Sequence, residues 1–225
     1  LFNQYVIIIE TYWSLFMLKN LINKAVSAEF DYNLLSDCLS NYKRPRNQIT
    51  KLLKNKDIIR VKKGLYVFGP QIKDKIYSKE ILANLIYGPS YISLEYALAY
   101  YGLIPEKVET LTSITNKRNK KFHTPVGTFS YQYLPSEKYY LGITQIKIDA
   151  KRMVFFATRE KALIDKIYKE KNIKTKEDLK AYLFANLRID LEEFKKLKLM
   201  SLRDMQKVYK NKIIKLLIEL LESLK

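Results

Sequence analysis

Residues 43–68 read KRPRNQITKLLKNKDIIRVKKGLYVF and change their period halfway along. In the first half Ile49, Leu52 and Leu53 recur at i, i+3 and i+4, which places them on one helical face. Pro45 suits a first turn, where its missing N–H would be unpaired in any case. The opposite face then carries Arg44, Asn47, Lys51 and Lys54, flanked by Gln48 and Thr50. After Asp57 come IIRV and LYVF, two short β-prone runs joined through Lys62-Lys63-Gly64, as in a hairpin. Upstream, Leu18, Leu21, Ile22 and Ala25 repeat at helical spacing, and Asp31 in DYNLLSDCLS is placed to cap a short second helix. Three helices and a hairpin predict a winged helix-turn-helix over residues 17–70. In that arrangement the third helix enters a DNA major groove and the wing lies against the backbone or the minor groove.

Charge gives the same stretch its chemistry. It holds nine Lys or Arg against Asp57 alone, so +8 of the chain's formal +18 falls within 26 of 225 residues. The background is Lys-rich, with 33 of the 41 basic residues being Lys, yet three of only eight arginines, Arg44, Arg46 and Arg60, lie here. A groove-facing helix needs long donors for guanine O6 and N7, which Arg44 and Lys51 supply, and an amide for an adenine edge, from Asn47 or Gln48. A wing needs point charges for phosphates, here Lys62 and Lys63. Lys43, Arg46 and Lys54 complete the candidate DNA-binding set. The competing expectation is a small helical domain for protein contact, with these charges as its solvated skin.

The chain is 48% apolar and 28% charged, a globular composition that fits one or two domains. One cysteine, Cys38, permits no internal disulfide, and with the single His123 it makes no zinc cluster. We read both as structural, expect no metal or cofactor, and expect a reducing cytoplasm. The start, LFNQYVIIIETYWSLFMLKN, is interrupted by Glu10 and is read as neither a membrane span nor a signal peptide. Met17 resembles a natural start, so residues 1–16 are expected to be an N-terminal extension.

Past Gly69-Pro70 the chain changes character, and residues 71–225 are read as a second domain, giving an α+β fold overall. SKEILANLIY and SLEYALAYYG read as helices, the first capped by Ser78, with GPSYI between them as a turn and an extended step. VETLTSIT, KKFHT, GTFSYQYL, ITQIKI and MVFFAT read as strands. Thr158 caps a further helix. The mixed α/β pattern runs to about residue 174, and residues 175–225 read as a helical tail with capping-box starts at Thr175/Asp178, Asp190/Glu193 and Ser201/Asp204. Glu160 and Asp165 are five apart, about 140° around a helix after a full turn, which argues against a shared metal or an acid/base pair. Glu160 is expected to serve its own helix dipole. Tyr91, Tyr96, Tyr100 and Tyr101 are read as core aromatics with hydroxyls at the rim. No phosphate loop or nucleophile elbow is present, and no enzyme activity is expected.

GPSYISLEYALAYYGLIPE, LTSITNKRNKKFHTPVGTFSYQYL and FATREKALIDKIY, in that order, resemble the core of the AbiEi family, antitoxins of abortive-infection toxin-antitoxin pairs. The helix and wing ending in KKGLYVF resemble the same family's N-terminal winged helix. The likeness covers roughly residues 18–170, with Arg159 standing where Pro is expected ahead of EKAL. It implies autorepression through inverted-repeat promoter DNA, bound by two copies of a monomer or weak dimer. It also implies that the C-terminal domain counters a nucleotidyltransferase-like toxin without a stable complex. A one-component regulator with a ligand-binding second domain, and a nucleic-acid enzyme targeted by the winged helix, stand as alternatives.

Overall fold

The computed structural model describes residues 16–225; of the expected extension all but Phe16 lies outside the described residues. The chain divides into two compact units. The first comprises the described residues to Leu82 together with Thr124–Val126, and the second Ala83–His123 and Gly127–Lys225.

In the first unit, helix α1 (residues 16–24) is followed by β1 (Glu29–Asp31), α2 (Tyr32–Cys38), α3 (Pro45–Lys54), β2 (Ile58–Lys62) and β3 (Leu65–Phe68). The strands form an antiparallel sheet in the order β1-β3-β2. Met17, Leu21, Phe30, Leu35, Leu52 and Phe68 belong to one buried cluster, so the helices and the sheet share a core. Asp31 caps α2 as the sequence predicts, its Oδ1 accepting from Leu34 N at 2.9 Å. Lys62 pairs with Leu65, leaving Lys63-Gly64 as the hairpin turn, and Gly64 takes the φ of +84° that such a turn asks of glycine. Residues 71–78, past the Gly69-Pro70 step, are held to this unit by side chains. Gln71 Nε2 donates to Lys56 O at 2.7 Å, Lys75 Nζ to Ala25 O at 2.6 Å, and Ser78 N to the buried Glu29 Oε1 at 2.6 Å. At Gly69 a Cβ would lie 1.8 Å from Lys56 O, an approach that excludes any other residue.

The remaining elements are α4 (Lys79–Ile86), within which the division falls, β4 (Ser90–Ile92), α5 (Leu94–Tyr100), β5 (Leu111–Thr115), β6 (Lys120–Thr124), β7 (Gly127–Tyr133), α6 (Ser136–Tyr139), β8 (Ile143–Lys147), β9 (Met153–Ala157), α7 (Arg159–Ile167) and α8 (Lys176–Ala181). A π-helical turn, Tyr182–Asn186, then leads to α9 (Leu191–Lys195), α10 (Leu199–Tyr209) and α11 (Lys212–Leu224). The fold is mixed α+β. The six-stranded sheet has the order β6-β7-β5-β4-β9-β8, with β4/β9 and β5/β7 parallel. The GPSYI step thus becomes β4, a central strand: three residues, all buried, too few to show a period. Thr158 and Asp190 cap α7 and α9, and Thr175 with Asp178 forms the expected capping box. Ser201 does not cap a helix, because α10 begins at Leu199 with Lys198 ahead of it. The reason is tertiary: Glu160 on α7 accepts from Lys198 N at 2.9 Å, meeting the helix start from outside. No helix among the described residues is long and apolar enough to cross a membrane.

The second unit closes on a buried polar cluster. Asp165 accepts hydrogen bonds from Tyr91 OH at 2.9 Å, Ser93 Oγ at 2.8 Å and Tyr209 OH at 3.0 Å, and pairs with Lys161 Nζ at 3.1 Å. Lys161 also donates to Lys138 O at 2.7 Å and to the Tyr209 hydroxyl. β4, the Ser93 step, α6, α7 and α10 are thereby joined around one carboxylate. Burial pushes the Lys161 ammonium below its ordinary pKa against the pull of Asp165, and pushes the Tyr91 and Tyr209 hydroxyls far above theirs. Removing the carboxylate strands an ammonium and three hydroxyls. Asp165→Ala should therefore cost about 3 to 5 kcal/mol of stability, and Tyr209→Phe, which deletes the bond to Asp165 and the hydroxyl that accepts from Lys161, about 1.5 to 3 kcal/mol. Urea unfolding followed by circular dichroism measures both, and equal small losses would mean the cluster contributes little.

Candidate nucleic-acid interface

Helix α3 is set in place by its apolar side. Ile49 and Leu52 are buried and Leu53 half-buried in the first unit's core, which turns the rest of the helix outward. At about 100° per residue, Lys51 lies roughly 40° from Asn47 around the axis and Lys54 roughly 20° the other way, so the three form one strip. All three are exposed, as are Lys43, Arg44, Arg46 and Lys63. Arg44 is the N-cap residue in a non-helical conformation, and its carbonyl accepts from Asn47 N at 3.1 Å. Its side chain makes no capping bond.

The strip separates two clefts, and this divides the sequence-derived set. Arg46 lies about 100° to one side of Asn47. It faces a cleft of about 680 Å3 between α3 and the hairpin, shared with Thr50, Leu53, Arg60 and Lys63. Gln48 lies about 100° to the other side. It lines a cleft of about 610 Å3 with Asn41, Tyr42, Lys43, Lys51 and Cys38. Gln48 and Lys62 are half-buried, whereas Asn47 stands clear of both clefts. The Thr50 hydroxyl is engaged with the helix itself, donating to Arg46 O at 3.0 Å. Strand, turn and helix thus gather Arg46, Arg60 and Lys63 along one wall, next to the Asn47-Lys51-Lys54 strip. A surface of this kind can hold phosphate oxygens at its rim and offer an amide and long donors between them.

Arg60 joins this wall although the sequence reading leaves it out of the set. It shares a strand face with buried Ile58, where alternation predicts burial, but lies nearer the hairpin tip and is exposed. The signal that could have found it is the scarcity of Arg in a Lys-rich chain.

The other singled-out residues have structural surroundings. Cys38 is buried, and burial pushes its thiol above the ordinary value, which keeps it in the unreactive form. His123 is exposed on β6 with Nδ1 3.2 Å from Thr128 Oγ1. Tyr91 is fully buried, Tyr101 donates to Ala157 O at 2.8 Å, and Tyr96 is half-buried. Tyr100 is 55% exposed with its ring 4.9 Å from that of Phe156, so it covers the core from outside. Glu160 and Asp165 make separate contacts, with Lys198 N and with the polar cluster. Among the described residues no three His, Cys, Asp or Glu are grouped to hold a metal ion. The chain matches no protein-family model and no curated protein.

If Lys62 and Lys63 contact phosphates, replacing both by Ala should flatten the log-log salt dependence of duplex DNA binding by about 1 to 2 units, at about 0.9 per phosphate. Fluorescence anisotropy across a salt series measures the slope, and an unchanged slope would take the hairpin tip out of the interface.

Proposed function

We propose that the protein is a DNA-binding autorepressor and antitoxin of a toxin-antitoxin operon. The reading of residues 17–70 as a winged helix-turn-helix rests on element order: α1, β1, α2, α3, then the β2–β3 hairpin, with α3 as recognition helix and Lys62-Lys63 on the wing. The observation that carries DNA binding is the exposed Asn47-Lys51-Lys54 strip beside a wall of Arg46, Arg60 and Lys63. Asn47 is the amide for an adenine edge, since Gln48 is half-buried on the flank. Arg44 and Lys51 reach guanine, and Lys43, Arg46, Lys54, Lys62 and Lys63 hold phosphates. The antitoxin half rests on the three AbiEi-like motifs of the second unit. It carries with it inverted-repeat promoter DNA, two copies on that DNA, and a nucleotidyltransferase-like toxin countered without a stable complex.

Asn47→Ala leaves the charge unchanged and so isolates base reading from electrostatics. It should cost about 1 to 3 kcal/mol on the operator and little on scrambled duplex at the same salt. Equal losses on both duplexes, or none on either, would reduce α3 to a basic surface. The antitoxin half has its own test in co-expression with the neighbouring gene. Growth arrest by that gene, relieved by this one, is the expected result; a neighbour that arrests growth without relief removes the antitoxin assignment.

A further inference from the structure

The cleft on the Gln48 side of α3 holds more polar chemistry than contact with DNA uses. Its volume is about 610 Å3, and α1, the turn between α2 and α3, and α3 itself supply its walls. Pockets of ~300 to 1,000 Å3 take small organic ligands. Three primary amides line it: Asn20 from α1, Asn41 from the turn and Gln48 from α3. Among the described residues none of these three side chains has a hydrogen-bond partner. Asn20 and Gln48 are half-buried. An amide so placed gives up part of its water and receives nothing from the protein, a cost that a polar ligand would offset.

The rest of the lining says what kind of ligand that is. Met17 is buried at the cleft, and the Tyr42 side chain is half-buried against the first unit's core, so amides and an apolar floor stand side by side. Lys43 and Lys51 line the same cleft and are exposed, and among the described residues no Asp or Glu lines it. Each amide offers two donors and an acceptor, which suits a ring whose edge carries both kinds of group. An aromatic side chain suits the face of such a ring, and an ammonium suits a phosphate attached to it. A nucleobase joined to a phosphate has all three features. A bare anion would leave the amides unmatched, and an apolar ligand would bury them unpaired.

We propose that this cleft binds a nucleoside monophosphate, and that the bound nucleotide keeps duplex DNA off this side of α3 by occupying Lys43 and Lys51. The second half rests on the reading that α3 meets DNA; the first does not. Asn47 stands outside the cleft, so base reading and nucleotide binding use different amides.

Equilibrium dialysis of the full chain against labelled AMP, GMP, CMP and UMP, with no DNA present, tests the site. Saturable binding of at least one is expected. Asn20→Ala together with Asn41→Ala, which leaves α3 untouched, should weaken it at least about tenfold. Ribose 5-phosphate, which keeps the phosphate and lacks the base, should also bind at least about tenfold more weakly. The site is overturned if none of the four binds, if the double variant binds like the wild type, or if ribose 5-phosphate binds as well as the nucleotide. Saturation with the tightest of the four should then weaken binding of a labelled duplex at least about threefold, read by fluorescence anisotropy, and should do so in the wild type but not in the double variant. Duplex affinity unchanged by bound nucleotide would overturn the exclusion of DNA. Failure of the α3 reading is seen separately, as Asn47→Ala losing nothing on the operator while dialysis still finds the nucleotide bound.

Discussion

An ammonium without solvent must have its counter-charge in place, and Lys161 has it in Asp165, one helical turn along α7. That pair alone would leave the carboxylate's other acceptor positions empty, and Tyr91, Ser93 and Tyr209 fill them from two other parts of the chain, the end of β4 and α10. Each of these groups is buried, so none can exchange its partner for water. The consequence is a network in which the positions of β4, α7 and α10 depend on one another. Apolar packing could hold the same elements together, but it would tolerate a slide of a helix far better than a set of hydrogen bonds aimed at one carboxylate does. The helical tail is thereby a structural part of its unit, since Tyr209 completes the cluster.

Charge is distributed on a different principle in the first unit. Several cations of the second unit have carboxylate partners, whereas Lys43, Arg44, Arg46, Arg60 and Lys63 have none among the described residues. Like charges gathered at this density repel one another, a repulsion that a bound polyanion would relieve. The cost in stability is small because the side chains are exposed and screened by salt. The core beneath them carries the stability: Ile49, Leu52, Phe30 and Phe68 pack regardless of what the outer face of α3 meets. Core packing and basic surface in this unit are therefore assigned to opposite sides of one helix.

Where a segment has one wet face, its sequence is legible. The periods of residues 43–68, the turn at Lys63-Gly64 and the caps at Asp31, Thr158, Thr175 and Asp190 all follow from local chemistry, because the deciding interactions lie within a few residues. Legibility fails where burial is complete. α7 buries Glu160, Lys161 and Asp165 along with its apolar residues, so charge there cannot be read as a solvent face, and the angle between Glu160 and Asp165 says only that they part company. β4 is too short to show a period, and α10 starts where Glu160 from another helix meets Lys198 N.

The amino-acid sequence by itself thus determined the change of period within residues 43–68, most of the longer helices and strands, and the basic outer face of α3, since these depend on spacing and composition. Only the tertiary structure decided that Asn47 stands clear while Gln48 turns into a cleft, that Arg60 joins the basic wall, and that Lys161, Asp165 and three distant hydroxyls meet. The physical reason is the same in each case: contacts between residues far apart in the chain carry no period along it.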